Sequence, residues 1–85
     1  MKIRFTRHAR EKFSVLRRHR FPVQRKRVIE ILQRPERVDT SRLPLLIAQG
    51  SLGKAYVLRV VYRKERDIMV VITFYPGRKS QYEKV

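Results

Sequence analysis

This 85-residue chain has no cysteine and only seven acidic residues, against 22 lysines and arginines. Without cysteine it can form neither a disulfide framework nor a thiolate-ligated metal site. The carboxylates are not clustered as a two-metal site requires, and His8 and His19 have no acidic ligand set near them in the sequence. The composition therefore predicts no metal and no cofactor, with His8 as a surface or capping residue.

Long apolar segments are also missing. The longest apolar stretch, Ile68–Tyr75, is much shorter than the roughly 20 residues that a membrane-spanning helix needs. The first ten residues, MKIRFTRHAR, lack the apolar core of a secretory signal. We therefore expect one soluble domain over residues 1–85, located in the cytoplasm and without a membrane partner.

The charge is strongly positive, at a formal net +15. Residues 1–42 hold 14 basic and 4 acidic residues, so that half of the chain contributes +10. Such an excess of like charge weakens a compact state through self-repulsion. The charge therefore predicts a polyanionic partner, and nucleic acid is the leading candidate because neutralised phosphates release counterions.

The first part of the chain predicts a short strand and two helices. Alternation over residues 2–5 indicates the strand, and Thr6 is suited to cap a helix that runs to about Arg18. Pro22 is expected in the first turn of the second helix, and Pro35 ends it. The apolar stripes facing the core are Ala9, Phe13 and Leu16 on the first helix and Val28, Ile31 and Leu32 on the second.

In the second half of the chain, the apolar residues recur with a period of two. We expect strands near residues 45–48, 56–62 and 68–75, with a charged hairpin loop at 63–67 and Pro76–Gly77 ending the last strand. The order β-α-α-β-β-β predicts an α+β fold of two layers. In it, a two-helix hairpin covers one face of an antiparallel sheet.

Alternation also assigns the two faces of that sheet. Six apolar residues of the last two strands are expected to face the helices: Leu58, Val60, Ile68, Val70, Ile72 and Phe74. The opposite face then carries Arg59, Thr73 and Tyr75 and no carboxylate. Such a face is suited to a polyanion.

Arg59 and the C-terminal tail each have two interpretations. Arg59, between Val57 and Val61, either faces solvent on a half-exposed sheet or binds a phosphate in a partly desolvated setting. The tail, residues 77–85, is either a frayed terminus or a basic flap from which Tyr82 stacks on a base.

The element order and several short motifs resemble the RelE/ParE toxin superfamily. The matching segments are Leu58–Tyr62, Ile68–Tyr75 and Gly77–Tyr82. Two further segments, Thr6–Arg10 and Leu32–Val38, look closer to small BrnT-like relatives. The resemblance extends over most of the chain and implies a single RelE-like toxin domain.

The resemblance also implies an activity, which is metal-independent cleavage of mRNA by a toxin of a type II toxin–antitoxin system. In that chemistry the ribose 2′-OH attacks the adjacent phosphate while cations stabilise the developing charge. The expected partners are RNA, the ribosome as the place of cleavage, and an acidic antitoxin.

Individual roles follow from the same resemblance. Arg59, in the pattern Arg-X-X-Tyr, would contact the scissile phosphate with help from Arg78, and Tyr82 or Tyr75 would orient or deprotonate the nucleophile. The resemblance adds Lys54 and Lys79 as RNA-binding residues, and the basic charge of the first helix adds Arg10, Arg17 and Arg18.

Two other functions fit the same sequence. One is a non-catalytic RNA- or DNA-binding module that uses the helix arginines Arg10, Arg17, Arg18, Arg25 and Arg27. The other is a ParE-like toxin that binds gyrase and cleaves no RNA.

Overall fold

The computed structural model describes residues 2–83, and Met1, Lys84 and Val85 lie outside the described residues. The predicted tail is therefore described only as far as Glu83. Within residues 2–83 no helix is long and apolar enough to cross a membrane. The elements follow in the order β1 (Lys2–Phe5), α1 (Arg7–Arg18), α2 (Arg25–Gln33), β2 (Arg37–Asp39), β3 (Leu46–Leu52), β4 (Tyr56–Glu65), β5 (Ile68–Arg78) and α3 (Lys79–Tyr82).

The described strands form one sheet in the order β1-β5-β4-β3-β2, and α1 and α2 pack on one of its faces. This confirms the predicted two-layer α+β fold. The sheet is mixed, because β1 pairs in parallel with β5 while the other pairs are antiparallel. The sequence did not indicate two short elements, β2 and α3.

The apolar stripes of both helices were predicted correctly. Ala9 and Leu16 of α1 are buried. All three stripe residues of α2 are also buried: Val28, Ile31 and Leu32. Phe13 packs between two aromatic rings, with ring-centre distances of 5.8 Å to Phe5 and 4.7 Å to Phe74. Both helices are therefore attached to the sheet through the faces that their 3.6-residue period specifies.

Two predictions based on proline were wrong. Pro22 precedes α2, which begins at Arg25, because the intervening segment is extended and places Val23 in the core. Pro76 and Gly77 do not end β5, which continues to Arg78. Beyond Val71, β5 no longer pairs with β1 and becomes an edge, where the missing N–H of a proline is tolerated.

A β-bulge divides β5 into two parts. Val61 of β4 pairs with Thr73, but the next residue, Tyr62, pairs with Val71, so Ile72 has no partner opposite it. The extra residue reverses the alternation of side chains along the strand.

The bulge explains why the face assignment was wrong for part of β5. Met69 and Val71 belong to the core under the helices together with Leu58, Val60 and Phe74. Val70, expected in that core, is buried on the opposite side of the sheet, where the half-buried Arg63 is its register partner. Thr73 and Tyr75 keep their predicted face, because the bulge lies between them and Val71.

The first helix begins at the bulge. The Thr6 hydroxyl accepts a hydrogen bond from the Ala9 amide at 3.1 Å, as predicted for a cap, and donates one to the Ile72 carbonyl at 3.2 Å. The Thr6 amide also donates to the Val71 carbonyl, at 3.0 Å. One side chain thus caps α1 and binds the carbonyl of the unpaired residue.

Thr6→Ala is expected to lower the free energy of unfolding by about 1 kcal/mol, the usual cost of losing an N-cap side chain. Urea denaturation followed by circular dichroism measures the change. Ser14→Ala, at an exposed position inside α1, is the matched control and should leave stability within about 0.5 kcal/mol. Equal effects of the two substitutions would contradict a capping role for Thr6.

Candidate functional site

Arg59 lies at the centre of the sheet face that the helices leave uncovered. The register places it between Gln49 of β3 and Tyr75 of β5, and only 6% of the residue is exposed. Its Nε donates to the Tyr75 hydroxyl at 2.9 Å, and its Nη1 donates to Gln49 Oε1 at 2.6 Å. Its Nη2 donates to Asp39 Oδ2, also at 2.9 Å. The guanidinium is therefore fixed in position by acceptors on three neighbouring strands.

The carboxylate of Asp39 corrects the prediction that this face carries no acidic group. Asp39 ends β2, and the antiparallel pairing of β2 with β3 brings its side chain over the sheet to Arg59. The amide of Ser41 donates to its second oxygen, Oδ1, at 2.9 Å. Local sequence patterns do not predict this arrangement, because β2 has three residues and none is buried.

The electrostatics of the pair favour its charged form. Hydrogen bonds from the Ser41 side chain and amide, followed by the hydrogen bond from Arg59, hold the pKa of Asp39 well below its usual range. Burial opposes the charge of Arg59, but its hydrogen bonds to Tyr75 and Asp39 outweigh burial and raise its pKa above the usual value. Both side chains are therefore ionised at neutral pH.

The lowered pKa of Asp39 predicts a specific pH dependence of stability. A carboxyl whose pKa is lower in the folded than in the unfolded protein stabilises the fold above its ordinary pKa, near 3.8, and loses that contribution as the pH falls below it. We expect acidification from pH 6 to pH 3 to lower the melting temperature less in Asp39→Asn than in the wild type. Asp67→Asn, in the exposed β4–β5 turn, should instead follow the wild type. Parallel curves for all three proteins would contradict the assignment.

Tyr82 covers the guanidinium from above. The centre of its ring lies 4.4 Å from Arg59 Cζ, close enough for a cation–π contact. The helical turn α3 carries Tyr82 back over the sheet, and Arg37 Nη1 donates to the Tyr82 carbonyl at 3.0 Å. Gly77 permits this approach, because a β-carbon at that position would lie 2.3 Å from Tyr82 Cε2.

An open cleft of about 600 Å³ adjoins this cluster. It combines two arginines, one carboxylate, two hydroxyl side chains and an aromatic ring. Its lining residues are Arg37, Val38, Asp39, Thr40, Ser41, Arg59, Gln81 and Tyr82. These groups can bind a phosphate through the arginines and stack a flat base on tyrosine.

Three of the four predicted catalytic residues, Arg59, Tyr75 and Tyr82, lie in direct contact. Arg78 does not join them. It is opposite Tyr56, whose ring packs edge-on against Phe21 at 4.9 Å, and this register places Arg78 on the helix-facing side of the sheet.

The predicted RNA-binding residues occupy two other regions. Lys54 lies in the exposed turn between β3 and β4, and Lys79 is nearby, because its amide donates to the Ala55 carbonyl at 2.9 Å. The three arginines of α1 are exposed on the helical layer, on the opposite side of the sheet from Arg59: Arg10, Arg17 and Arg18.

Within residues 2–83, no group of three or more histidine, aspartate or glutamate side chains is arranged to hold a metal ion. No protein-family model matches the chain, and no curated protein or solved structure matches it either.

Proposed function

We propose that this protein is a toxin-like endoribonuclease of the RelE/ParE type, which binds single-stranded RNA at the Arg59 cleft and cleaves it without a metal ion. The observation that carries the proposal is the contact of Arg59 with Tyr75 and Tyr82, three of the four residues to which the family resemblance assigns roles in cleavage. In this proposal the protein acts on mRNA at the ribosome in the cytoplasm, and an acidic antitoxin restrains it.

Arg59 supplies positive charge at the phosphate. Three of its five N–H groups bind Tyr75, Gln49 and Asp39, which leaves two for phosphate oxygens. Because its position is fixed before RNA binds, it stabilises the developing negative charge with little reorganisation. Asp39 is a weak base because its pKa is lowered, and we assign it to orienting Arg59.

Tyr75 is the proposed proton donor. Its oxygen accepts from Arg59 Nε, so its own proton is available for another acceptor. As the bond from O2′ to phosphorus forms, the 2′ proton passes to solvent. As the bond from phosphorus to O5′ breaks, Tyr75 protonates the leaving oxygen.

The test uses purified protein and a labelled single-stranded RNA in the presence of a chelator. We expect cleavage products that end in a 2′,3′-cyclic phosphate, and no cleavage wherever a 2′-deoxynucleotide replaces the attacking ribose. The same RNA is also tested as mRNA in a translating extract. Intact RNA in both settings would contradict the proposal.

A second candidate function is a non-catalytic RNA- or DNA-binding module. It is favoured by the three hydrogen bonds from Arg59 to Asp39, Gln49 and Tyr75, which also suit a structural role. This alternative predicts binding that weakens steeply with salt, survives loss of the Arg59 cluster and falls when Arg17 and Arg18 are neutralised. A ParE-like toxin would instead inhibit gyrase in a supercoiling assay and leave RNA intact.

A further inference from the structure

The C-terminal turn covers the guanidinium of Arg59. Arg59 is nearly inaccessible, with 6% of the residue exposed, and the Tyr82 ring covers it at 4.4 Å. The two N–H groups of Arg59 that remain free belong to this covered guanidinium. Displacement of Tyr82 would therefore expose more of the guanidinium to RNA.

The contacts that hold the turn are few, and most are at the surface. They include the stacking of the Tyr82 ring on Arg59 and its packing on Gly77. Two hydrogen bonds add to these, an exposed one from Arg37 to the Tyr82 carbonyl and one from the Lys79 amide to the Ala55 carbonyl. None of the residues of α3 is buried. A segment with so little buried surface opens at low free-energy cost compared with unfolding of the whole domain.

We infer that residues 79–83 form an autoinhibitory cap, which closes the Arg59 site with Tyr82 in the position that a nucleobase takes when RNA displaces it. The identity of the displacing ligand rests on the proposed function, whereas the cap itself does not. In the closed state the guanidinium of Arg59 stacks on the ring of Tyr82. In the open state the same ring is available to stack on a base, and the phosphate reaches Arg59.

Gly77→Ala is the variant chosen to displace the cap while the rest of the fold stays unchanged. The three atoms nearest to the added β-carbon all belong to the ring of Tyr82, at 2.3, 2.7 and 3.4 Å, so the methyl group clashes first with that ring. Arg37→Lys is the second variant, because lysine keeps the positive charge but lacks the guanidinium that donates the hydrogen bond to the Tyr82 carbonyl.

Accessibility of Arg59 is measured with phenylglyoxal, which modifies exposed guanidinium groups, followed by peptide mass mapping. Arg10 on α1 is the internal reference because it is exposed in the closed protein. We expect both variants to react faster at Arg59, with Gly77→Ala the faster, and at an unchanged rate at Arg10. Wild-type reactivity at Arg59 in the folded Gly77→Ala protein would overturn the cap.

Binding is measured with a single-stranded 2′-O-methyl RNA, which cannot be cleaved. Since a ligand binds only the open fraction, shifting the protein to the open state should tighten the apparent Kd by roughly tenfold in Gly77→Ala. An unchanged or weaker affinity would overturn the inference. If these results hold while the wild-type protein cleaves no RNA, the cap stands and the proposed nuclease activity fails. If the wild-type protein cleaves RNA but the variants match it in Arg59 reactivity and in RNA affinity, the nuclease activity stands and the cap fails.

Discussion

Under the proposed nuclease function, Arg59→Lys is expected to reduce RNA cleavage by about 100-fold or more while the net charge of the protein stays the same. Lysine provides a single ammonium group at the end of a flexible stem, whereas the planar guanidinium binds Asp39, Gln49 and Tyr75 at the same time. The variant therefore keeps the charge and loses the fixed geometry. Single-turnover cleavage of labelled RNA at saturating protein measures the effect.

Two controls separate catalysis from folding and from general attraction to RNA. Arg10→Lys makes the same chemical change on the exposed face of α1 and should alter cleavage by less than about twofold. Circular dichroism establishes the folded fraction of each protein, because Gln49 is buried and loses its hydrogen-bond donor in Arg59→Lys. A folded Arg59→Lys protein with wild-type cleavage would exclude Arg59 from the reaction.

Phe74→Ala is expected to cost about 3–5 kcal/mol, which is a large part of the stability of a small domain. Phe74 is fully buried, and its ring contacts Phe13, so it joins β5 to α1. Removing it leaves a cavity where the two layers meet. Urea denaturation gives the free energy of unfolding, and the urea midpoint should fall sharply.

Leu43→Ala is the matched control for Phe74→Ala, because it also truncates an apolar side chain. Leu43 is 66% exposed, so the change should stay within about 0.5 kcal/mol. Similar losses in the two variants would contradict the placement of Phe74 at the centre of the core.

The helical part of the fold was predictable because its signals are local. The 3.6-residue period identified the buried face of each helix, and Thr6 identified the start of α1. The strands were less predictable, since a period of two assigns faces correctly only while the strand is regular. At Ile72 the alternation of β5 is interrupted, and Val70 was consequently assigned to the wrong face.

The candidate site was predictable where its residues belong to long strands. Arg59 and Tyr75 lie on β4 and β5 and were placed on one face by alternation. Asp39 was missed because its position depends on β2, a short strand whose pairing is set by tertiary contacts and not by its own sequence. Arg78 was grouped with Arg59 because the period was not continued through Pro76 and Gly77.

The bulge at Ile72 also bears on how relatives of this chain can be recognised. Deleting this one residue would leave β5 a regular strand with Phe74 still toward the helices and Tyr75 still toward Arg59, because Val71 and Thr73 would then alternate without interruption. A homologue could therefore have the same architecture and the same cleft with β5 one residue shorter. A sequence alignment that allows a gap at this position would match Tyr75 with the corresponding tyrosine of the homologue. An alignment without a gap would shift every residue from Thr73 onward by one position.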